Sequence, residues 1–127
     1  MRISEGVKKD KKLIVGVGSA LVDILAHEED DFLNRTGAIK GGMTYVSKEF
    51  IEKTLSLASN RSSLVPGGSA CNTIVGIGKL GGQARFIGKC GNGKMGQFFE
   101  SDLKRQNVEP LLLRSDSPTG RVLSIIT

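Results

Sequence analysis

The sequence predicts an α/β fold, and three observations carry that prediction. Short apolar runs alternate along the chain with stretches of helical periodicity. Glycine is abundant, at 17 residues against 3 prolines, which points to tight turns and close backbone approaches rather than a linker. With 39% hydrophobic and 24% charged residues, the 127-residue chain can build a core and does not read as disordered.

Leu13-Ile14-Val15-Gly16-Val17-Gly18 is an apolar run without polar alternation, so it predicts a strand buried on both faces. A small turn leads to Leu21-Val22-Asp23-Ile24-Leu25-Ala26, apolar except for Asp23. Residues 28–35 are acidic around Phe32 and Leu33 and fit a short helix or a loop. Ser47 can cap a helix running to about Ser59, with Phe50, Ile51, Leu55 and Ala58 on one face. Ser62–Pro66 is extended and leads to Gly67-Gly68. From Ala70 the spacing of Cys71, Ile74, Ile77 and Leu80 predicts a helix stopped by Gly81-Gly82. Gly76 and Gly78 weaken that helix and fit close packing on a sheet. Arg85–Gly88 is a short strand. Met95, Phe98, Phe99 and Leu103 form the stripe of a helix from about Met95 to Gln106, with Asn107 as a left-handed cap. Leu111–Leu113 and Val122–Ile126 are strands around the turn Asp116–Gly120.

The net charge of +5 owes much to Lys8-Lys9-Asp10-Lys11-Lys12, which reads as a solvated, flexible basic terminus over residues 1–12. The chain offers neither interleaved aromatics nor zinc-finger spacing, so nucleic acid is not an expected partner. Cys71 and Cys90 form no CxxC pair and His27 is the sole histidine, which predicts reduced thiols and no structural zinc. No apolar stretch approaches the roughly 20 residues of a membrane span, and no secretory leader is evident; the expected location is cytoplasmic. The last apolar strand is cut at Thr127, which reads as a truncation.

Three glycine-rich segments compete as sites. Gly91-Asn92-Gly93-Lys94-Met95-Gly96 matches GxGxxG between a strand and a helix, with Asp116 downstream, so a dinucleotide (NAD-type) site of an oxidoreductase is the alternative reading. It counts against that reading that the unit is not the first of the chain, that Asp116 sits in a turn and that the preceding strand is very short. Gly88–Met95 nearly fits a P-loop, but Met95 stands where a magnesium-binding hydroxyl is needed. The Gly16-Val17-Gly18 run reads as a strand followed by a tight crossing. Gly67-Gly68-Ser69-Ala70-Cys71-Asn72 is the strongest of these signals. Two glycines let the backbone approach a ligand, a helix start offers free N–H donors, and the Asn72 amide both donates and accepts. Asp23, a carboxylate in an apolar run, needs partners: either vicinal hydroxyls of a ligand or a backbone N–H that it caps.

At these residues the chain resembles the PfkB/ribokinase family of carbohydrate kinases, in its adenosine kinase-like branch. The resemblance rests on GVGSALVD, GGSACNTIVGIGKLGGQARFIGKCG, GNGKMGQFFESDLKRQNV and SPTGRVLSII, in order over residues 13–127. It implies the N-terminal part of a ribokinase-like fold, a Rossmann-type central sheet with helices plus a small β lid. The lid segments would lie near 21–27, 39–46, 61–66 and 112–127. It implies that Asp23, Gly67, Gly68 and Asn72 hold the hydroxyls of a sugar or nucleoside, with Ser69 and Ser19 close by. Ser69 stands where ribokinase-like members carry Lys, and Ser19 where adenosine kinases tend to have Asn. Asn92 and Gly93 depart from the acidic turn common in the family, which leaves that turn's contacts open. The family's catalytic base and ATP loops belong to a C-terminal half, so no catalytic residue is expected within these 127 positions and the chain alone should be inactive. ATP and Mg2+ are the implied cofactors, and a homodimer through the lid is the implied partner arrangement.

Overall fold

The structure, a computed structural model, describes residues 11–127, so most of the basic run Lys8–Lys12 lies outside the described residues. The chain divides into two compact units, one comprising the residues up to Val22 with Val65–Arg121, the other Asp23–Leu64 with Val122–Thr127.

The first unit is built on a three-stranded sheet, β1 (Leu13–Val17), β4 (Gln83–Gly91) and β5 (Glu109–Ser115), in the order β1-β4-β5. All three strands run parallel, with Leu13 beside Gln83, Val17 beside Ile87 and Arg85 beside Glu109. Parallel neighbours need crossover connections. Here the helix α3 (Ser69–Lys79) packs on β1 and β4, and α4 (Lys94–Arg105) packs on β4 and β5. Phe86, Phe99, Leu103, Cys71 and Val22 are fully buried at this face. The Phe86 and Phe99 rings meet at 5.6 Å and a 59° tilt, a favourable edge-toward-face arrangement. Burying each such side chain contributes about 1.5–3 kcal/mol.

The opposite face of this sheet differs from the expectation for β1. By register, Leu13, Val15 and Val17 share a face with Arg85, Ile87 and Lys89 and with Leu111 and Leu113. Val17 is 72% exposed and Leu113 64%. Among the described residues strand β1 is at the sheet edge with this face bare, while its unbroken apolar run is that of a strand buried on both faces. Strand β4 also runs nine residues rather than the short stretch expected, so strand length does not count against the GxGxxG reading. Leu80 lies beyond the last residue of α3 and is exposed, not on its apolar face. A Cβ on Gly78 would lie 2.8 Å from the Gln106 carbonyl oxygen, so this glycine makes room for the turn after α4, not for a sheet; nothing lies within 4 Å of Gly76. Asn107 adopts φ 63°, the left-handed conformation expected of it, and its side-chain amide donates to the Gly78 carbonyl at 3.2 Å.

The second unit holds most of a sheet in the order β3-β2-β6, formed by β2 (Leu21–His27), β3 (Ser62–Gly67) and β6 (Gly120–Ile126). The chain passes between the units within these three strands. The His27 N–H donates to the Arg61 carbonyl and the Glu28 N–H to that of Ile126. Pro66 can sit in β3 because that strand is at the sheet edge. Burial alternates along β2, with Val22, Ile24 and Ala26 inside. Helices α1 (Asp30–Thr36) and α2 (Lys48–Leu57) add buried Phe32, Ile51 and Thr54. The Ser47 hydroxyl caps α2 by accepting from the Phe50 N–H, as its position predicts. Phe50, expected on the apolar face, is instead 41% exposed, and Thr54 is buried. Residues 39–46 form turns and irregular chain without a strand.

Candidate functional site

A glycine within β1 and one just after it position the site. A Cβ on Gly16 would lie 2.3 Å from Ile74 Cγ1, and one on Gly18 would lie 2.8 Å from Ala70 Cβ. Only side chains of hydrogen size let the first turns of α3 rest on the end of β1. Ser19 follows immediately and is exposed. Gly68, the N-cap residue of α3, has φ 95° and ψ 137°, and a Cβ there would stand 2.8 Å from the Ser19 carbonyl oxygen. Both the backbone angle and the close approach demand glycine. Gly67 is buried at the end of β3.

Helix α3 therefore begins without a side-chain cap. Its first backbone bond runs from the Asn72 N–H to the Gly68 carbonyl at 2.9 Å, and the Thr73 hydroxyl donates to the Ser69 carbonyl at 3.0 Å. Ser69 and Asn72 are exposed at this opening turn. Among the described residues neither side chain takes part in a hydrogen bond within the protein. Ser19, Gly67, Gly68, Ser69 and Asn72 are thus brought together in the first unit.

Asp23 is the first residue of the second unit and lies on β2 between buried Val22 and Ile24. It is half-buried, and desolvation pushes its carboxyl above the ordinary value of 3.8. Among the described residues it accepts no hydrogen bond and joins no ion pair, so no backbone cap explains it. Asp30 is the contrast: its bond to the Lys40 ammonium at 2.9 Å holds it below the ordinary value.

Two of the three glycines of the GxGxxG segment, Gly91 and Gly96, are backed by the protein itself, while nothing lies within 4 Å of a Cβ placed on Gly93. A Cβ on Gly91 would lie 2.5 Å from the Ser117 carbonyl oxygen, and one on Gly96 would lie 2.1 Å from that of Gly91. Gly91 and Gly96 thus serve chain packing, and Asp116 is exposed in the facing turn. The Arg114 guanidinium donates to the Gly91 carbonyl and to Cys90 Sγ and pairs with Glu100. Neither this Arg114 tie nor the clearance provided by Gly16 and Gly18 was legible beforehand, because the partners are remote in sequence. Cys71 and Cys90 are both buried, and among the described residues neither is in a disulfide. Among the described residues no three His, Cys, Asp or Glu side chains gather as metal ligands, and no helix is long and apolar enough to cross a membrane.

A parallel sheet with crossover helices, and a glycine pair that opens a helix beside the chain just after its first strand, defines an α/β protein. Comparison with known proteins places it further. The pfkB family carbohydrate kinase family matches residues 36–127, and the chain belongs to that family. The chain is 36% identical over 62 residues to Probable fructokinase-7 of Arabidopsis thaliana, covering 49% of this chain and 18% of that protein. It is 30% identical over 76 residues to a fructokinase of Klebsiella pneumoniae, covering 60% of this chain and 25% of the relative. The crystal structure of adenosine kinase from Sinorhizobium meliloti superposes with a TM-score of 0.77 at 32% identity, covering 91% of this chain and 35% of that one. The chain therefore spans about a third or less of the length of these relatives.

Proposed function

We propose that the chain forms the acceptor-binding part of an ATP-dependent kinase that phosphorylates a hydroxymethyl group of a sugar or nucleoside. The observation that carries this reading is Asp23, a desolvated carboxylate with no protein partner among the described residues, in a family of carbohydrate kinases. Vicinal hydroxyls would supply the two donors that its oxygens lack. Asn72 and Ser69 would bind further hydroxyls at the opening of α3, and Gly67, Gly68 and Ser19 would bring backbone close to the acceptor. The sheet β3-β2-β6 would act as the lid that excludes water. Phosphoryl transfer itself needs positioning and charge stabilisation, which ATP with Mg2+ supplies when bound. The part of Asp23, Asn72 and the opening of α3 would be to bind and orient the acceptor. A cytoplasmic location, argued from the sequence, and a homodimer formed through the lid, implied by the family resemblance, complete the reading.

Isothermal titration with adenosine, fructose and NAD tests the proposal. Heat of binding with adenosine or fructose and none with NAD is the expected result. Binding of NAD alone would replace this reading by the dinucleotide one.

A further inference from the structure

We propose that Thr119 is a positioning residue that sets the root of β6, and through it the strand that carries Asp23. The proposal rests on the acceptor reading of Asp23 given above.

Among the described residues Thr119 is one of three buried polar or charged residues, at 7% exposure, and it is the last residue before β6. Its Oγ accepts from the Gly91 N–H at 3.0 Å, across 28 positions of sequence. Gly91 is the last residue of β4, where the ladder to β5 ends opposite Ser115. The same glycine is held from its other side by the Arg114 guanidinium at its carbonyl. The turn Ser117–Thr119 lies so close over Gly91 that any side chain there would strike its backbone. One residue on, a Cβ at Gly120 would lie 2.6 Å from Leu21 Cδ2. The Thr119 bond thus pins the start of β6 at the point where it lies against the start of β2.

Strand β2 is the central strand of its sheet and β6 its neighbour. A strand pinned at its root has a fixed register against its partner, and a register error would turn side chains to the wrong face. Asp23 lies two residues beyond Leu21. An acceptor held by two hydrogen bonds to one carboxylate tolerates little displacement of that carboxylate. Thr119 therefore acts on the acceptor through backbone placement and needs no contact with it.

The test compares Thr119→Val, which keeps the shape and removes the acceptor oxygen, with Thr119→Ser, which keeps the oxygen. Amide hydrogen exchange of the free protein and affinity for adenosine and fructose are the readouts, with Asp23→Ala alongside. Thr119→Val is expected to lower protection of the Gly91 amide and of the β6 amides by about tenfold. It should weaken the acceptor by about three- to tenfold, and Thr119→Ser should restore both. Loss of protection at Gly91 with β6 unchanged overturns the latch. Looser β6 amides with wild-type acceptor affinity, in a protein whose Asp23→Ala variant loses the acceptor, overturn the positioning role while the reading of Asp23 stands. If the unmodified protein binds neither probe, the acceptor reading fails by itself, and exchange in β6 still decides the latch.

Discussion

Gly68→Ala is the substitution whose cost can be worked most directly from the structure. At φ 95° and ψ 137° an alanine occupies a region open essentially to glycine alone, a strain of about 1–3 kcal/mol. The added Cβ would also lie 2.8 Å from the Ser19 carbonyl oxygen. That atom belongs to the backbone and cannot rotate away, so the two segments must separate, at a further cost of about 1–3 kcal/mol. A loss near 3 kcal/mol lowers the melting temperature by roughly 10–20 °C for a protein of this size. Gly37→Ala is the control. Gly37 also has positive φ, at 71°, but nothing lies within 4 Å of its missing side chain. It should cost about 1–2 kcal/mol from the backbone alone. Thermal and urea denaturation of both variants measure the difference. If Gly68→Ala is no more destabilising than Gly37→Ala, the close approach of Ser19 and Gly68 is not what holds this part of the site together.

Asn72→Ala should weaken adenosine or fructose binding by about two- to tenfold, the worth of one or two neutral hydrogen bonds, with little change in stability because the side chain is exposed and unbonded within the protein; titration calorimetry reads the first and thermal denaturation the second. The bare apolar face of Leu13, Val15, Val17, Leu111 and Leu113 should make the 127-residue chain self-associate, and Val15→Lys with Leu113→Lys should suppress it. Light scattering that finds the unmodified chain monomeric at high concentration would contradict this.

The α/β alternation was legible because α3 and α4 keep their own periodicity: Phe99 and Leu103 in α4 and Cys71 and Ile74 in α3 are buried where their spacing puts them. Asp23 and Gly68 were legible because each breaks a local pattern, an acid in an apolar strand and a glycine pair before a helix. What escaped was set by tertiary partners. The length of β4 escaped because Lys89, Cys90 and Gly91 lack strand propensity and are held by pairing with Leu113, Arg114 and Ser115. Thr119 looked like an ordinary turn residue until Gly91 appeared beside it.

The most direct test of the account is the pair of variants Asp23→Ala and Asp23→Asn, scored for acceptor affinity and for thermal stability in the same preparation. Removing one partner of a charged hydrogen bond costs about 1.5–3 kcal/mol, or about 10- to 150-fold in affinity. Desolvation raises the Asp23 value in the folded protein, so between the unfolded and folded values the folded form binds more protons, and stability falls as pH rises through that window. Asp23→Asn removes that loss and should keep or gain stability at neutral pH. In the unmodified protein, acceptor affinity should fall as pH is lowered through the raised Asp23 value. The account predicts acceptor binding weakened at least about tenfold with stability unchanged or higher. Wild-type affinity for adenosine and fructose together with a lowered melting temperature would contradict it, and would make Asp23 a structural residue.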